Sequence, residues 1–435
     1  MAGQLTPAGL RRRRGLQAAA SMALLPALGA CGRAGSERTL RFWAMGREGE
    51  VLGELVAGFE RENPGLKVKV EQLPWSAAHE KLLTAFAGDA TPDLAQMGNT
   101  WLPEMDALNA LEPLQGRVDT ARVPEQDHYA GIWQTNVVNG RLVGVPWYVD
   151  TRLLFYRSDL LRQAGFAEPP RRWSEWPAML QALHAGPVPH PLLLPLDEFQ
   201  PLLALALQQP EPLLRDEGRF GNFSSRGFRR ALQYYVEMFR RGWAPDFNEN
   251  QLANVAQEFG RGGIAFYISG PWYIGEFRRR LPAGMEPRWA TAPLPGPEGP
   301  GASLAGGASL VIFRRSRLKH ESARLIEYLC RPAVQQRFYA LTGNLPPRRS
   351  SWATPLLAED TKARAFAEQL ERVKPTPAVP EWERIVQEMQ LAAERAVRAR
   401  VPVDEVTRTL DARVDGILEK RRWILDRVAA RRNSA

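Results

Sequence analysis

The chain contains 435 residues with a formal net charge of +9, and 44% of its residues are hydrophobic. This length is too great for one hydrophobic core, so two or more domains are expected, and the composition is typical of a globular protein. The charge does not indicate nucleic-acid binding, because Arg11–Arg14 supply about half of the positive excess and no recognition motif accompanies it.

The N-terminal segment has the pattern of a targeting signal. Arg11–Arg14 precede an apolar run from Leu16 to Leu28, and small residues stand before Cys31. This pattern resembles a bacterial lipoprotein signal, so we expect residues 1–30 to be removed, Cys31 to be lipidated and residues 31–36 to form a tether. A plain secretion signal is the alternative, and the general and twin-arginine export routes both stay open. The protein is then expected at the periplasmic side of the inner membrane or at the cell surface.

Cysteine and histidine placement predicts neither a disulfide nor a transition-metal site. Once Cys31 is assigned to lipidation, Cys330 is the remaining cysteine, and its amphipathic surroundings predict that it is buried. The five histidines show no metal-ligand spacing. We therefore expect no metal and no cofactor.

The chain after the signal begins as alternating strands and helices. Thr39–Met45 and Leu66–Leu73 are predicted strands, Glu50–Glu60 and Trp75–Ala87 are predicted helices, and a short strand follows at Asp93–Met97. This order predicts a parallel sheet covered by helices, with ligand chemistry at the carboxyl ends of its strands.

Polar and aromatic residues follow two of these strands. The loop after the first strand carries Glu48 and Glu50. The spacing of the glycines in this loop fits neither a dinucleotide-binding motif nor a P-loop. Two carboxylates would repel a phosphate but would accept hydrogen bonds from hydroxyl groups, so a neutral polyol is the better ligand. The third strand leads into Asn99 and Trp101, which add an amide and an aromatic face.

The stretch Val145–Leu161 is predicted to be a strand that becomes a helix near Asp159. Its Trp147, Tyr148 and Asp150 combine flat apolar faces with a carboxylate acceptor, which suits a sugar. From these residues alone, an ordinary edge strand is an equal alternative.

The rest of the chain continues with strands, helices and loops. A buried strand, Gly263–Ile268, delivers Trp272 and Tyr273 at its end, and Gly306 and Gly307 open the strand Ala308–Phe313. Gly186–Pro212 is expected to hold a strand and a helix. The predicted helices are Arg226–Arg241, Leu252–Phe259, Lys319–Leu341, Glu381–Ala399 and Val403–Arg427.

Six segments in this order resemble a known family. They are Phe59–Gly65, Pro92–Leu94, Val145–Arg157, Phe259–Trp272, Pro293–Gly307 and Gly343–Arg348. The chain resembles the extracellular solute-binding proteins of ABC importers, the family that includes the maltose- and trehalose-binding proteins.

The resemblance implies an α/β, periplasmic-binding-protein-like fold of two lobes with a ligand cleft between them. The N-terminal lobe would comprise residues 37–147 and 305–350, and the C-terminal lobe residues 148–304 and 351–435. Sugar contacts carried over from the family fall on Glu48, Trp101, Tyr148, Asp150, Trp272 and Arg348, with backbone amides at Gly306 and Gly307. The full predicted site is Glu48, Glu50, Asn99, Trp101, Tyr148, Asp150, Trp272, Tyr273, Gly306, Gly307 and Arg348.

The function implied is capture of a disaccharide or small oligosaccharide and its delivery to a membrane permease, by a monomer that has no enzymatic activity. The sugar is left open, because Gly98 and Ala308 stand where some disaccharide-binding relatives have an acid and a tryptophan. A glycoside hydrolase that uses Glu48, Glu50 and Asp150 as paired carboxylates is the alternative. A binder of a polyamine or a metal is disfavoured by the aromatic residues and arginine of the predicted cleft.

Overall fold

The structure is a computed structural model that describes residues 38–246 and 255–433. The predicted signal, Cys31 and the tether lie outside the described residues. The strands in chain order are β1 (Arg38–Met45), β2 (Leu66–Leu73), β3 (Leu94–Gly98), β4 (Val137–Val138), β5 (Arg141–Leu142), β6 (Val145–Asp150), β7 (Leu153–Arg157), β8 (Leu192–Leu193), β9 (Leu214–Arg215), β10 (Phe220–Gly221), β11 (Phe266–Ser269), β12 (Trp289–Ala292), β13 (Ser303–Leu304), β14 (Gly306–Ile312) and β15 (Val373–Lys374).

The α-helices surround these strands. In chain order they are α1 (Gly46–Glu62), α2 (Trp75–Ala87), α3 (Leu102–Ala107), α4 (Ala130–Gln134), α5 (Ser158–Gln163), α6 (Trp176–Ala185), α7 (Gln200–Leu207), α8 (Arg226–Arg240), α9 (Val255–Arg261), α10 (Trp272–Arg280), α11 (Lys319–Leu329), α12 (Pro332–Thr342), α13 (Arg349–Trp352), α14 (Pro355–Ala358), α15 (Thr361–Leu370), α16 (Trp382–Val397), α17 (Val403–Ile417) and α18 (Glu419–Asn433).

The first large sheet has the strand order β2-β1-β3-β14-β6. Strands β2, β1 and β3 are parallel, as the sequence predicts, whereas β14 runs antiparallel to both β3 and β6. Helix α1 packs Val51, Leu52, Val56 and Phe59 into the core beneath this sheet, which follows from their spacing on one helical face. We call the part of the molecule built on this sheet the first lobe.

The second large sheet has the strand order β12-β7-β11-β8 and defines the second lobe. Strand β7 follows β6 after only Thr151 and Arg152, so the chain passes from one sheet to the other within two residues. The division into lobes by residue number stays a prediction. Each sheet draws its strands from one predicted lobe, except that β6 continues to Asp150, beyond the predicted boundary at residue 147.

Two predicted helices are each divided into two helices in the structure. The predicted helix Lys319–Leu341 is two helices, α11 and α12, because Pro332 disfavours a helical backbone at Arg331, which has φ −63° and ψ 136°. The predicted helix Val403–Arg427 is divided at Leu418 into α17 and α18. Helix α9 covers the end of the predicted helix Leu252–Phe259 and continues to Arg261, while residues 252–254 lie outside the described residues.

The remaining cysteine and the helices can also be compared with what a buried thiol and a membrane span require. Cys330 is buried, as predicted, at the C-terminal end of α11. Among residues 38–246 and 255–433, no helix has the length and apolar character needed to cross a membrane.

Candidate ligand-binding site

A cavity of about 500 Å³ lies between the two sheets, at the end of the first sheet where β1 and β3 terminate. Both lobes contribute to it, and its volume is within the range of small-molecule sites. The residues that line it are Arg47, Glu48, Trp75, Gly98, Asn99, Thr100, Trp101, Tyr148, Asp150, Phe199, Gln200, Leu203, Trp272, Glu276, Arg279, Leu304, Gly306, Gly307, Thr342, Asn344, Thr376 and Glu383.

Glu48 is a buried carboxylate in the first turn of α1, where the helix dipole favours an acid. The structure therefore places Glu48 on a helix rather than in the predicted loop. Its Oε1 accepts a hydrogen bond of 2.6 Å from Asn344 Nδ2, and the side chains of Tyr148 and Trp75 also donate to it. Burial raises the pKa of Glu48 above its usual value, although these hydrogen bonds act in the opposite direction.

This shift predicts a pH effect that can be isolated by Glu48→Gln. Because burial raises the pKa of Glu48 above 4.5 in the folded state, the folded protein holds this proton more tightly than the unfolded chain does. The contribution of Glu48 to stability is therefore largest at low pH and is lost as the pH rises from about 4.5 through the raised pKa. Relative to wild type, the Tm of Glu48→Gln should increase between about pH 4 and pH 7.

Glu50→Gln is the matched control, since Arg47 lowers the pKa of Glu50. Glu50 contributes stability above pH 4.5 that is lost as the pH falls, so its variant should change relative to wild type in the opposite direction. Thermal unfolding of the three proteins between about pH 3 and pH 7 measures both differences, and the Glu50 difference should change below about pH 4.5. A constant difference between wild type and Glu48→Gln would contradict the burial of the carboxylate.

Tyr148 is held by a chain of hydrogen bonds within the first lobe. Gln96 Nε2 donates to the Tyr148 hydroxyl at 3.0 Å, and Gln96 Oε1 accepts from the backbone N–H of Met45 at 2.8 Å. Burial raises the pKa of Tyr148 well above its usual value, with Glu48 and Asp150 acting in the same direction. The hydroxyl therefore stays protonated and serves as a hydrogen-bond donor.

Two tryptophans form an aromatic corner on the first lobe. Trp75 and Trp101 meet edge to face, with ring centroids 5.7 Å apart. Glu383, in the first turn of α16, faces Thr100 and Trp101. Burial raises the pKa of Glu383, and its Oε1 has no hydrogen-bond partner within the described part of the chain.

The connection between β6 and β7 places a charged cluster beside the cavity. Asp150 Oδ1 forms an ion pair with Arg152 Nη1, and Arg152 Nη2 lies 3.6 Å from Glu198 Oε2. The guanidinium of Arg152 also lies over the ring of Trp272, 4.7 Å from its centroid. Trp272 itself lines the cavity at the start of α10.

Gly306 and Gly307 are required by close backbone packing against β6. A Cβ on Gly307 would lie 2.2 Å from the carbonyl oxygen of Tyr148, and one on Gly306 would lie 2.2 Å from that of Asp150. Gly307 also has φ +144°, which other residues rarely adopt. Both line the cavity, and their use as amide donors stays a prediction.

Eight of the eleven predicted site residues line this cavity: Glu48, Asn99, Trp101, Tyr148, Asp150, Trp272, Gly306 and Gly307. Asn99 donates through Nδ2 to the carbonyl oxygen of Ala305 at 2.8 Å, so one of its two amide N–H donors is already used within the protein. Their contact with a ligand stays a prediction.

Arg348 is not among the residues that line the cavity, and its predicted sugar contact stays a prediction. Its guanidinium donates to Asp127 Oδ2 at 2.7 Å and to the carbonyl oxygens of Arg122 and Cys330. These partners lie far away in sequence, so the motif around Arg348 did not reveal them. Arg348 therefore connects segments of the first lobe.

Three further aromatic or acidic residues considered in the sequence analysis are absent from the cavity lining. Glu50 is exposed and pairs with Arg47, which lines the cavity in its place. Tyr273 packs edge to face on Tyr267 at 4.8 Å and is absent from the lining. Trp147, which precedes Tyr148 on β6, is fully buried and stacks on Phe338 at 4.5 Å.

Several lining residues were missed by sequence reasoning. Phe199, Gln200 and Leu203 lie at the start of α7, within a segment whose proline and leucine content did not indicate which of its residues would reach the ligand. Gln200 Oε1 is buried and has no hydrogen-bond partner in residues 38–246 and 255–433. Trp75, which begins α2 at the carboxyl end of β2, is the residue that the strand-end argument could have found.

Two α/β lobes with a polar and aromatic cavity between them define a two-lobed ligand-binding protein. The bacterial extracellular solute-binding protein family has a model that matches residues 45–336, and this chain belongs to that family. The family and the α/β two-lobed fold predicted from the sequence are thereby confirmed.

Individual relatives extend this comparison. The chain is 55% identical to the sugar-binding protein MalE from the phytopathogen Xanthomonas citri, with a TM-score of 0.85 over 89% of this chain and 99% of that one. It is 23% identical to the diacetylchitobiose binding protein DasA of Streptomyces coelicolor, over 81% of this chain and 83% of DasA. It is 24% identical to the maltodextrin-binding protein MdxE of Bacillus subtilis, over 76% and 78% of the two chains.

Proposed function

We propose that this protein captures a disaccharide or small oligosaccharide between its lobes and delivers it to the permease of an ABC importer. The observation that carries the proposal is the pairing of aromatic rings with unpaired acceptors in one cavity. Trp75, Trp101 and Trp272 provide apolar faces, while Gln200 Oε1 and Glu383 Oε1 are buried without partners. A sugar supplies the apolar ring face and the hydroxyl donors that match these groups.

Unpaired buried acceptors favour a hydroxyl-rich ligand over an apolar one. Each buried polar atom without a partner costs about 1–3 kcal/mol, and a donor from the ligand removes that cost. The 55% identity to a protein described as sugar-binding supports the same ligand class.

Residues from both lobes would bind the ligand together. Glu48 and Trp101 belong to the first lobe, whereas Gln200 and Trp272 belong to the second. Only a closed arrangement of the lobes makes both sets of contacts, so the ligand shifts the equilibrium toward it. The closed form is then the one presented to the permease.

A glycoside hydrolase is the second candidate, because burial raises the pKa of Glu48 as it does for a general acid. Three features oppose it. Hydrogen bonds from Asn344 and Tyr148 hold Glu48 as an acceptor, Glu50 lies outside the cavity, and one oxygen of Asp150 is paired with Arg152. We therefore propose binding without turnover.

A calorimetric and thermal-shift screen tests the function. Purified protein is titrated with trehalose, maltose, maltotriose, sucrose and glucose, and each mixture is then assayed for released monosaccharide. A cognate sugar at 100 times its Kd should raise stability by about 2.7 kcal/mol. Absence of binding to every oligosaccharide would refute the proposal, and release of monosaccharide would favour the hydrolase.

We further propose that Cys31 carries a lipid anchor that keeps the protein at the outer face of the cytoplasmic membrane. The basic and apolar pattern before Cys31 supports this placement. Cys31→Ala should shift the protein from the membrane fraction to the soluble fraction, or leave it unprocessed. Fractionation and intact-mass measurement check both outcomes, with Cys330→Ala as the control that leaves anchoring unchanged. An unmodified mature terminus at another residue would contradict the assignment.

A further inference from the structure

Arg152 is a buried arginine that joins several parts of the cleft without lining it. It lies in the two-residue connection between β6 and β7, and only 3% of its surface is exposed. Its backbone N–H donates to Ser303 Oγ at 3.1 Å, which ties it to β13. Burial alone would lower the pKa of Arg152, but the carboxylates of Asp150 and Glu198 outweigh burial and raise it. The guanidinium is therefore a fixed positive charge behind the cavity.

The guanidinium covers one face of the Trp272 ring. The two groups are 4.7 Å apart, and Trp272 lines the cavity whereas Arg152 does not. The same ring also packs against Gly270, where a Cβ would lie 1.9 Å from Trp272 Cζ3. Arg152 and Gly270 thus both restrict the position of a ring that lines the cavity.

The same guanidinium orients the carboxylate of Asp150. It bonds Oδ1, while Glu198 Oε2 lies 3.6 Å from its other terminal nitrogen. Oδ2 of Asp150 then remains for a ligand hydroxyl, on a residue that lines the cavity. One planar group with several donors can engage both carboxylates and a ring face at once, which a lysine ammonium cannot do.

We propose that Arg152 is the positioning residue of the sugar site: it sets the Trp272 ring and the Asp150 carboxylate in place before the ligand arrives. The inference rests on the proposed function for its ligand. The part of the proposal that concerns the position of the Trp272 ring can be tested without any ligand.

Two variants separate charge from shape. Arg152→Lys keeps the charge but loses the planar cover over Trp272, and we expect about a fivefold weaker affinity for the sugar that the wild type binds. Arg152→Met keeps an apolar stem but leaves Asp150 and Glu198 without their cation, and we expect at least a tenfold loss, or about 1.4 kcal/mol. If Arg152→Met does not fold, Arg152→Lys alone still tests the proposal.

A double-mutant cycle shows whether Arg152 acts through Trp272. In a Trp272→Ala background, Arg152→Lys should weaken binding by less than about twofold, because the ring that it positions is gone. A residue that only supports the fold would give the same loss in both backgrounds.

Arg157→Lys is the matched control. Arg157 is also buried, bonds Asp159 at 2.8 Å, and lies on β7 outside the cavity. We expect it to lower the Tm and leave sugar affinity unchanged. Equal affinity losses in the Arg152 and Arg157 variants would overturn the positioning role.

Fluorine NMR of protein labelled with 5-fluorotryptophan reports on Trp272 without a ligand. The Trp272 resonance is identified by its absence in Trp272→Phe, and Arg152→Lys should shift it more than any other resonance while Arg157→Lys does not. An unmoved resonance refutes the inference, as does a moved one with unchanged affinity. If the wild type binds no sugar, the proposed function fails, while the resonance still decides whether Arg152 positions Trp272.

Discussion

Replacing Trp272 with alanine should weaken sugar binding at least tenfold, which corresponds to about 1.4 kcal/mol or more. The side chain supplies an aromatic face to the cavity from the second lobe, and Arg152 lies over its ring. The loss of that face removes the desolvated surface against which a pyranose ring packs. Isothermal titration calorimetry with the sugar identified by screening measures the effect.

The Trp272 variant should remain folded, with a modest decrease in Tm. Trp272 is only partly buried, and its contact with Arg152 is worth about 2 kcal/mol for a desolvated pair of this kind. Trp423→Ala is the control, because Trp423 is 55% exposed on α18 and is absent from the cavity lining. If Trp272→Ala binds sugar as the wild type does, the ring is a structural element and the predicted site is wrong there.

Asp150→Asn should weaken binding by about 2 kcal/mol, near the value for a hydrogen bond to a charged group. Asparagine keeps the shape of the side chain but replaces one acceptor with a donor and removes the charge that pairs with Arg152. The affinity should therefore fall about thirtyfold, as titration calorimetry would measure. Wild-type protein should leave the disaccharide intact during the same incubation.

Asp159→Asn separates the loss of an ion pair from the loss of a ligand contact. Asp159 pairs with the buried Arg157 at 2.8 Å, as Asp150 pairs with Arg152, but it does not line the cavity. We expect both variants to lower the Tm, since each leaves a buried arginine with a weaker partner. Only Asp150→Asn should change the affinity. Monosaccharide release that is present in wild type and absent in Asp150→Asn would instead support a hydrolase.

The elements near the start of the mature chain could be predicted closely from sequence. Strand β2 and helix α2 have the predicted bounds, because alternation and helical periodicity are local patterns that end at clear turn residues. The antiparallel direction of β14 could not be predicted in this way. It depends on a strand that returns to the first sheet from the second lobe, about two hundred residues after β3.

Some residues of the site could likewise be predicted from local sequence patterns, whereas others reach it only through tertiary packing. Glu48, Trp101 and Asp150 were found because they end or follow strands of the first sheet, where ligands of α/β proteins bind. Gln200 and Glu383 were missed, since each begins a helix of the second lobe and reaches the cavity only when the two sheets face each other.

The sequence by itself determined the family, because six of its segments resemble those of known members. It also determined the α/β class and the strand ends that carry ligand chemistry, because these follow from residue order and short-range periodicity. Only the tertiary structure decided which side chains face the cavity and which are used elsewhere. Arg348 and Arg152 illustrate the reason: both are buried arginines, and a buried charge must have partners. Arg348 finds Asp127 within the first lobe, whereas Arg152 finds Asp150 and Trp272 beside the cavity. The packing of segments that are distant in sequence determines these partners, so they cannot be predicted from local sequence patterns.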